Sequence, residues 1–211
     1  NMEISQEIRI NLNEVVRQPG HVVSMLEDKK QDLWIGTNRG LFVYRTGTGN
    51  LEMIDSELGS VNGIVQANDG KIWFAVADKG LGFMKNDGQY ELFPSAKDFM
   101  CMDVSSDGKL WLGTGLGEVL QFDTQLKTLS DHSMSCGMKG DFINQIVVDT
   151  YNHIWIVTNQ MLKEYNPNNG AYRSYATNDL QLSLSRFMEK SVYYDRKAGE
   201  IFFGGVSGFI S

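Results

Sequence analysis

Three histidines, two cysteines, four tryptophans and a set of aspartates followed closely by glycine are the residues of this chain with the clearest chemical potential. His21, His132 and His153 do not share an H-x-x-x-H spacing, so no two of them read as a metal pair on one element. Cys101 and Cys136 are too few for a structural zinc site or a disulfide scaffold. They stand nearly one repeat apart, which leaves a disulfide between neighbouring units conceivable in an oxidising compartment. Cys101, inside Phe99-Met100-Cys101-Met102, reads more simply as a small core residue. Gly113-Thr114-Gly115-Leu116-Gly117 does not fit G-x-G-x-x-G and leads into no helix, so it lacks the helix N-terminus on which a phosphate cradle depends. Asp28, Asp69, Asp107, Asp149 and Asp195 each stand alone at a turn. Calcium needs about six to eight clustered oxygens, so Asx-type hydrogen bonding to the turn backbone is the better reading. No catalytic residue, metal site or cofactor is expected from these patterns.

The remaining candidates are polar pairs that recur in loops: Asn38 and Arg39, Asp78 and Lys79, Asn159 and Gln160, with Arg186 in a connection between units. Donors and acceptors of this mixture suit a hydroxyl-rich or charged small ligand, and the guanidinium of Arg39 offers a bidentate fork. Whether they form one site depends on the elements that carry them.

Those elements repeat. Leu33-Trp34-Ile35-Gly36-Thr37, Ile72-Trp73-Phe74-Ala75-Val76, Leu110-Trp111-Leu112-Gly113-Thr114 and Ile154-Trp155-Ile156-Val157-Thr158 use every tryptophan of the chain, and Ile201-Phe202-Phe203-Gly204-Gly205 is a fifth copy with Phe in place of Trp. Ahead of each aromatic lie an apolar run and a turn such as Asn68-Asp69-Gly70 or Asp107-Gly108. Asp-Gly between apolar runs is a strong hairpin signal, because tight two-residue turns need positive φ. A second turn with Gly40, Gly80, Gly117 or Gly208 follows, then a third apolar run, another turn and a fourth run. Four short antiparallel strands in each unit of about 40–45 residues describe a β-propeller blade. The fold expected is all-β, with repeats near 14–55, 56–94, 95–130, 131–176 and 177–211. The aromatic layer Trp34, Trp73, Trp111, Trp155 and Phe202 should pack between neighbouring blades rather than stack on ligand. The last unit ends before a fourth strand. The alternating run Glu7-Ile8-Arg9-Ile10-Asn11-Leu12 looks like a fourth strand, so residues 7–12 are expected to complete the last blade and close a five-blade ring. A piece of a larger propeller is the alternative.

Composition supports an ordinary globular chain. Of its 211 residues, 42% are hydrophobic and 21% charged, with 22 glycines and only 3 prolines. With 19 Lys and Arg against 26 Asp and Glu, the net charge of −7 argues against a nucleic-acid partner, which calls for clustered cations. No apolar run is long enough for a membrane-spanning helix, and the first residues lack the basic and apolar regions of a signal peptide.

With the repeats in view, the chain resembles the two-component regulator propeller repeat, whose pattern Leu-Trp-Ile-Gly-Thr-x-x-Gly-Leu is matched almost throughout from Val22 to Tyr44 and nearly as well from Val104 to Phe122. It departs at Ala75-Val76, Val157 and Met161. The resemblance implies a non-enzymatic, periplasmic sensor module of a hybrid two-component histidine kinase. Such a module would bind a small ligand, oligosaccharides being the class implied, and would act as a homodimer in its parent. Streptogramin lyases have similar repeats and supply an enzymatic alternative; a protein-interaction scaffold is a third.

Overall fold

A computed structural model describes residues 8–177 and 186–211. Apart from a 3-10 turn, Leu12–Glu14, the regular structure among the described residues is β-sheet, folded as a five-blade β-propeller. Blade 1 is β1 (Val22–Glu27), β2 (Leu33–Thr37), β3 (Leu41–Arg45) and β4 (Asn50–Asp55). Blade 2 is β5 (Val61–Gln66), β6 (Ile72–Val76), β7 (Gly80–Met84) and β8 (Tyr90–Pro94). Blade 3 is β9 (Phe99–Val104), β10 (Leu110–Thr114), β11 (Val119–Asp123) and β12 (Thr128–Asp131). Blade 4 is β13 (Ile143–Val148), β14 (Ile154–Thr158), β15 (Met161–Asn166) and β16 (Ala171–Ala176), and blade 5 is β17 (Phe187–Asp195), β18 (Glu200–Gly205) and β19 (Gly208–Ile210). Each sheet is an antiparallel meander in sequence order, and the first strands β1, β5, β9, β13 and β17 pack successively around the central channel.

The repeated motif has a separate physical job at each position. The tryptophan lies on the face its blade turns to the next blade. Trp73 packs among Leu110, Leu112 and Phe122 of blade 3, and Trp111 among Ile143, Ile146 and Tyr165 of blade 4. Trp34, Trp73 and Trp111 retain only 4%, 2% and 1% exposure. Aromatic side chains of this size supply much of the inter-blade burial. The motif glycine is there because the next blade comes too close for a methyl group. A Cβ on Gly36 would lie 2.3 Å from Ser24 Oγ and 2.7 Å from the Val61 carbonyl, and one on Gly113 would lie 2.6 Å from Ile143 Cγ2. Blade 2 satisfies the same limit in reverse: Ala75 replaces the motif glycine, and its strand partner is Gly63. The threonine holds the loop to the third strand, since Thr37, Thr114 and Thr158 Oγ1 accept from the backbone N–H of Gly40, Glu118 and Met161 at 3.0, 3.0 and 3.1 Å.

The turn aspartates follow the Asx expectation where the repeat keeps them. Asp28 Oδ1 accepts from the N–H groups of Lys30 and Asp32, while its Oδ2 accepts from Trp34 Nε1 at 2.9 Å. Asp149 does the same for the turn and for Trp155 Nε1 at 3.1 Å. In blade 2 the matching turn begins with Ala67, and Trp73 Nε1 is buried without a partner among the described residues.

The expectation that residues 7–12 complete blade 5 is corrected for the residues described, Glu7 lying outside them. Residues 8–11 form no strand, and blade 5 has three strands. The Asn11 side chain accepts from Asn13 N–H and caps the 3-10 turn, bending the chain, so that Ile10, Leu12, Val15 and Val16 cover Ile35 and Phe42 on blade 1. The alternating pattern marks one-sided burial here, not strand pairing. Phe202, expected in the aromatic layer, is half-buried and meets the exposed rings of Tyr193 and Phe209 instead of a further blade. Cys101 and Cys136 are buried free thiols, and burial pushes each up to about 12.

Candidate functional site at the first mouth of the channel

The start of each inner strand pairs with the end of the second strand, as in Val22 with Thr37 and Val61 with Val76. The loops from second to third strands therefore open on the same end of the channel as the inner strands' first residues. At this first mouth lies a cavity of about 600 Å³, walled by Ser24, Met25, Asn62, Cys101, Gln145, Lys190 and Tyr193 together with neighbouring backbone.

A bulge near the beginning of each inner strand shapes that wall. In β1 the register shifts between Val22 and Ser24, and matching shifts occur in β5 and β13. In β17 the irregular stretch is longer, running from Phe187 to Val192 while the partner moves only from Gly205 to Phe203. The added residues carry Lys190, at φ 54°, into the channel. Its Nζ donates to the carbonyl of Asn62 at 2.7 Å and, more weakly, to that of Val23 at 3.4 Å. Blade 5 is thus tied to blades 1 and 2 across the axis, where β17 does not run beside β1 as the other inner strands run beside one another. Burial pulls the Lys190 ammonium below the usual lysine range.

The seven candidate ligand residues stand around this mouth, but none lines the cavity. Asn38 Oδ1 accepts from His21 N–H at 3.0 Å, Arg39 Nη1 donates to Gln18 Oε1 at 3.0 Å, and Lys79 Nζ donates to the Glu57 carbonyl at 3.0 Å. Asp78 holds the turn at φ 59°. Asn159 Oδ1 accepts from Asn144 Nδ2 at 3.2 Å, and backbone carbonyls of Gln160 and Arg186 receive Thr177 and Val206 N–H. The structure brings Asn159 near the start of blade 5, where Phe187 N–H donates to its carbonyl; Asn38 with Arg39 and Asp78 with Lys79 stay with their own blades. His132 packs on Trp111 with ring centres 4.9 Å apart, and burial lowers its pKa. Lys190, Ser24 and Gln145 belong to no motif. The legible signal was the irregular spacing between Phe187 and the apolar residues that follow it.

The opposite, second mouth is also polar, with a cavity of about 590 Å³. Its side chains engage one another. Asp103 Oδ2 accepts from Val148 N–H at 2.8 Å and pairs with Arg196 at 3.3 Å; its Oδ1 accepts from Val104 N–H at 2.8 Å. Burial, the largest influence, raises its pKa against these partners. Asn152 bonds Ser106 twice, at 2.6 and 2.8 Å, and Asn68 Nδ2 donates to the Ser106 carbonyl at 2.6 Å.

A family model described as two component regulator propeller matches residues 18–39. The repeat is that of the two-component regulator propellers. Among solved structures, the extracellular domain of a hybrid two component system from B. thetaiotaomicron is similar with TM-score 0.74 and 25% identity, over 97% of this chain and 28% of that one. A second such domain from the same organism gives 0.70 at 21% identity, over 90% and 26%. Virginiamycin B lyase from Staphylococcus aureus gives 0.73 at 14% identity, over 95% and 71%, a likeness of fold alone. No curated protein matches the sequence. The chain thus spans little more than a quarter of the extracellular domains it resembles. Among its described residues no helix is long and apolar enough to cross a membrane, and no group of three or more His, Cys, Asp or Glu side chains is placed to hold a metal ion.

Proposed function

We propose that this propeller is a non-enzymatic, extracytoplasmic sensor module of a hybrid two-component signalling protein and that the first mouth of its channel receives a small ligand. What carries the reading is the regulator repeat at residues 18–39 together with likeness over 97% of the chain to an extracellular domain of such a system. The cavity supplies the means. Its volume of about 600 Å³ falls in the usual range for small-molecule sites, and it offers hydroxyl, amide and ammonium groups beside an aromatic ring. The rim side chains Asn38, Arg39, Asp78, Lys79, Asn159, Gln160 and Arg186 form an outer ring of donors and acceptors around it. An oligosaccharide is the ligand class this lining suits, the periplasm its compartment, and a homodimer the signalling form.

Thermal-shift measurements against a panel of oligosaccharides, with sedimentation to follow mass, test the reading. At least one compound should raise the melting temperature or shift the chain to a dimer. No response in either measurement, or turnover of the stabilising compound into product, would overturn it.

A further inference from the structure

We propose that the cavity at the first mouth binds a small organic carboxylate through the Lys190 ammonium. This rests on the first mouth being the receptive surface and adds the charge and size of what it takes. The charge in the cavity forms no ion pair with a described residue. None of the ion pairs formed by the described residues includes Lys190, and the adjacent Glu189 is exposed and forms none with it. Two backbone carbonyls, of Asn62 and Val23, are its hydrogen-bond acceptors. An ammonium has three donors, so one N–H is left for the cavity. Carbonyl dipoles offset part of the cost of confining a cation; an anionic oxygen completes it.

The surroundings limit the anion. One lysine balances one charge. Lys190 is the one cation among the residues lining the cavity, Arg39, Lys79 and Arg186 standing outside it on the rim; no helix N-terminus faces it among the described residues, and the chain's net charge of −7 opposes a multiply charged anion such as a phosphate ester. Gln145 makes no side-chain hydrogen bond to any described residue, so its amide is free for a polar substituent. Ser24 Oγ donates to the Val61 carbonyl at 2.6 Å and keeps its acceptor capacity. Met25 and Tyr193, both exposed, supply an apolar wall for the body of the molecule. The Cys101 thiol in the same wall, raised to about 12 by burial, stays protonated and takes no covalent part.

Isothermal titration with glucuronate at constant ionic strength, using glucose and inorganic sulfate as comparison probes, tests the site. Glucuronate should bind, with glucose and sulfate each weaker by roughly tenfold or more, and Lys190→Met should lose roughly tenfold or more of the glucuronate affinity while circular dichroism is unchanged. Equal binding of glucuronate and glucose, equal binding of sulfate, or undiminished binding by Lys190→Met overturns the proposal. If that variant does not fold, reductive methylation of the unmodified protein decides: glucuronate should protect Lys190 Nζ, and labelling at an unchanged rate overturns it. A neutral oligosaccharide that stabilises the chain while glucuronate does nothing would sink the carboxylate site and leave the sensor reading standing.

Discussion

The two mouths of the channel are made by the same inner strands, yet they use their polar side chains differently. At the second mouth Asp103, Arg196, Asn152, Ser106 and Asn68 bond one another or backbone across four blades. Gln145, which lines both cavities, is unengaged within the described chain, and at the first mouth Lys190 meets only carbonyls. At both ends polar groups tie neighbouring blades, Ser24 and Asn62 donating to the Val61 and Phe99 carbonyls at the first mouth, but there the third N–H of Lys190 and the Gln145 amide remain available. A buried polar network that is fully paired rigidifies; one left partly unpaired is costly unless something else completes it.

Four measurements break or sharpen that contrast. The largest effect is expected from Asp103→Ala at the second mouth, which strands Val148 N–H, Val104 N–H and Arg196; chemical denaturation should show a loss of about 2–4 kcal/mol. Asn152→Ala removes both bonds to Ser106 and places a Cβ-bearing residue without a compensating side-chain bond at φ 61°, for a loss of about 1–2 kcal/mol. The pH dependence is subtler. Because the Asp103 carboxyl sits higher in the folded chain than in the unfolded one, its contribution is fully present below the ordinary carboxylate pKa of about 3.9 and is lost as pH rises through the raised folded value. Melting curves of the unmodified chain should carry that falling component, and those of Asp103→Asn should lack it. The smallest effect belongs to Gln145→Ala at the first mouth, within about 0.5 kcal/mol of neutral in the absence of ligand. A loss there as large as at Asn152 would erase the distinction between the mouths.

The architecture was legible because the repeat states its physics in residue types. Trp34, Trp73 and Trp111 mark the faces between blades, Gly36 and Gly113 the points of closest approach, and Thr37 and Thr114 the loop that follows. The first residues misled for a definable reason. Alternation in Ile8-Arg9-Ile10-Asn11-Leu12 suits any segment covered on one side, and both a fourth strand and a cap on blade 1 meet that condition; in the cap Ile10 and Leu12 are covered while Ile8 stays exposed. The site was less legible. Asn38, Arg39 and Lys79 attract notice because they recur in loops, but their side chains are held by His21, Gln18 and Glu57 outside the cavity. Lys190 stands in no motif; the irregular spacing after Phe187 hints at it, but its importance comes from a register irregularity that depends on which residues of β17 pair with β18.

The motif glycine and its Ala75–Gly63 counterpart show that the spacing between blades is fixed to within a methyl group, whereas the long irregular stretch of β17 is accommodated at the axis. The wall of the propeller and its lumen therefore obey different tolerances. Inserting or deleting residues at an inner-strand bulge would exchange the group that projects into the channel while the outward strands of that blade keep their pairing. A family built on this repeat could change what its channel admits by small local length variation, without redesigning a blade.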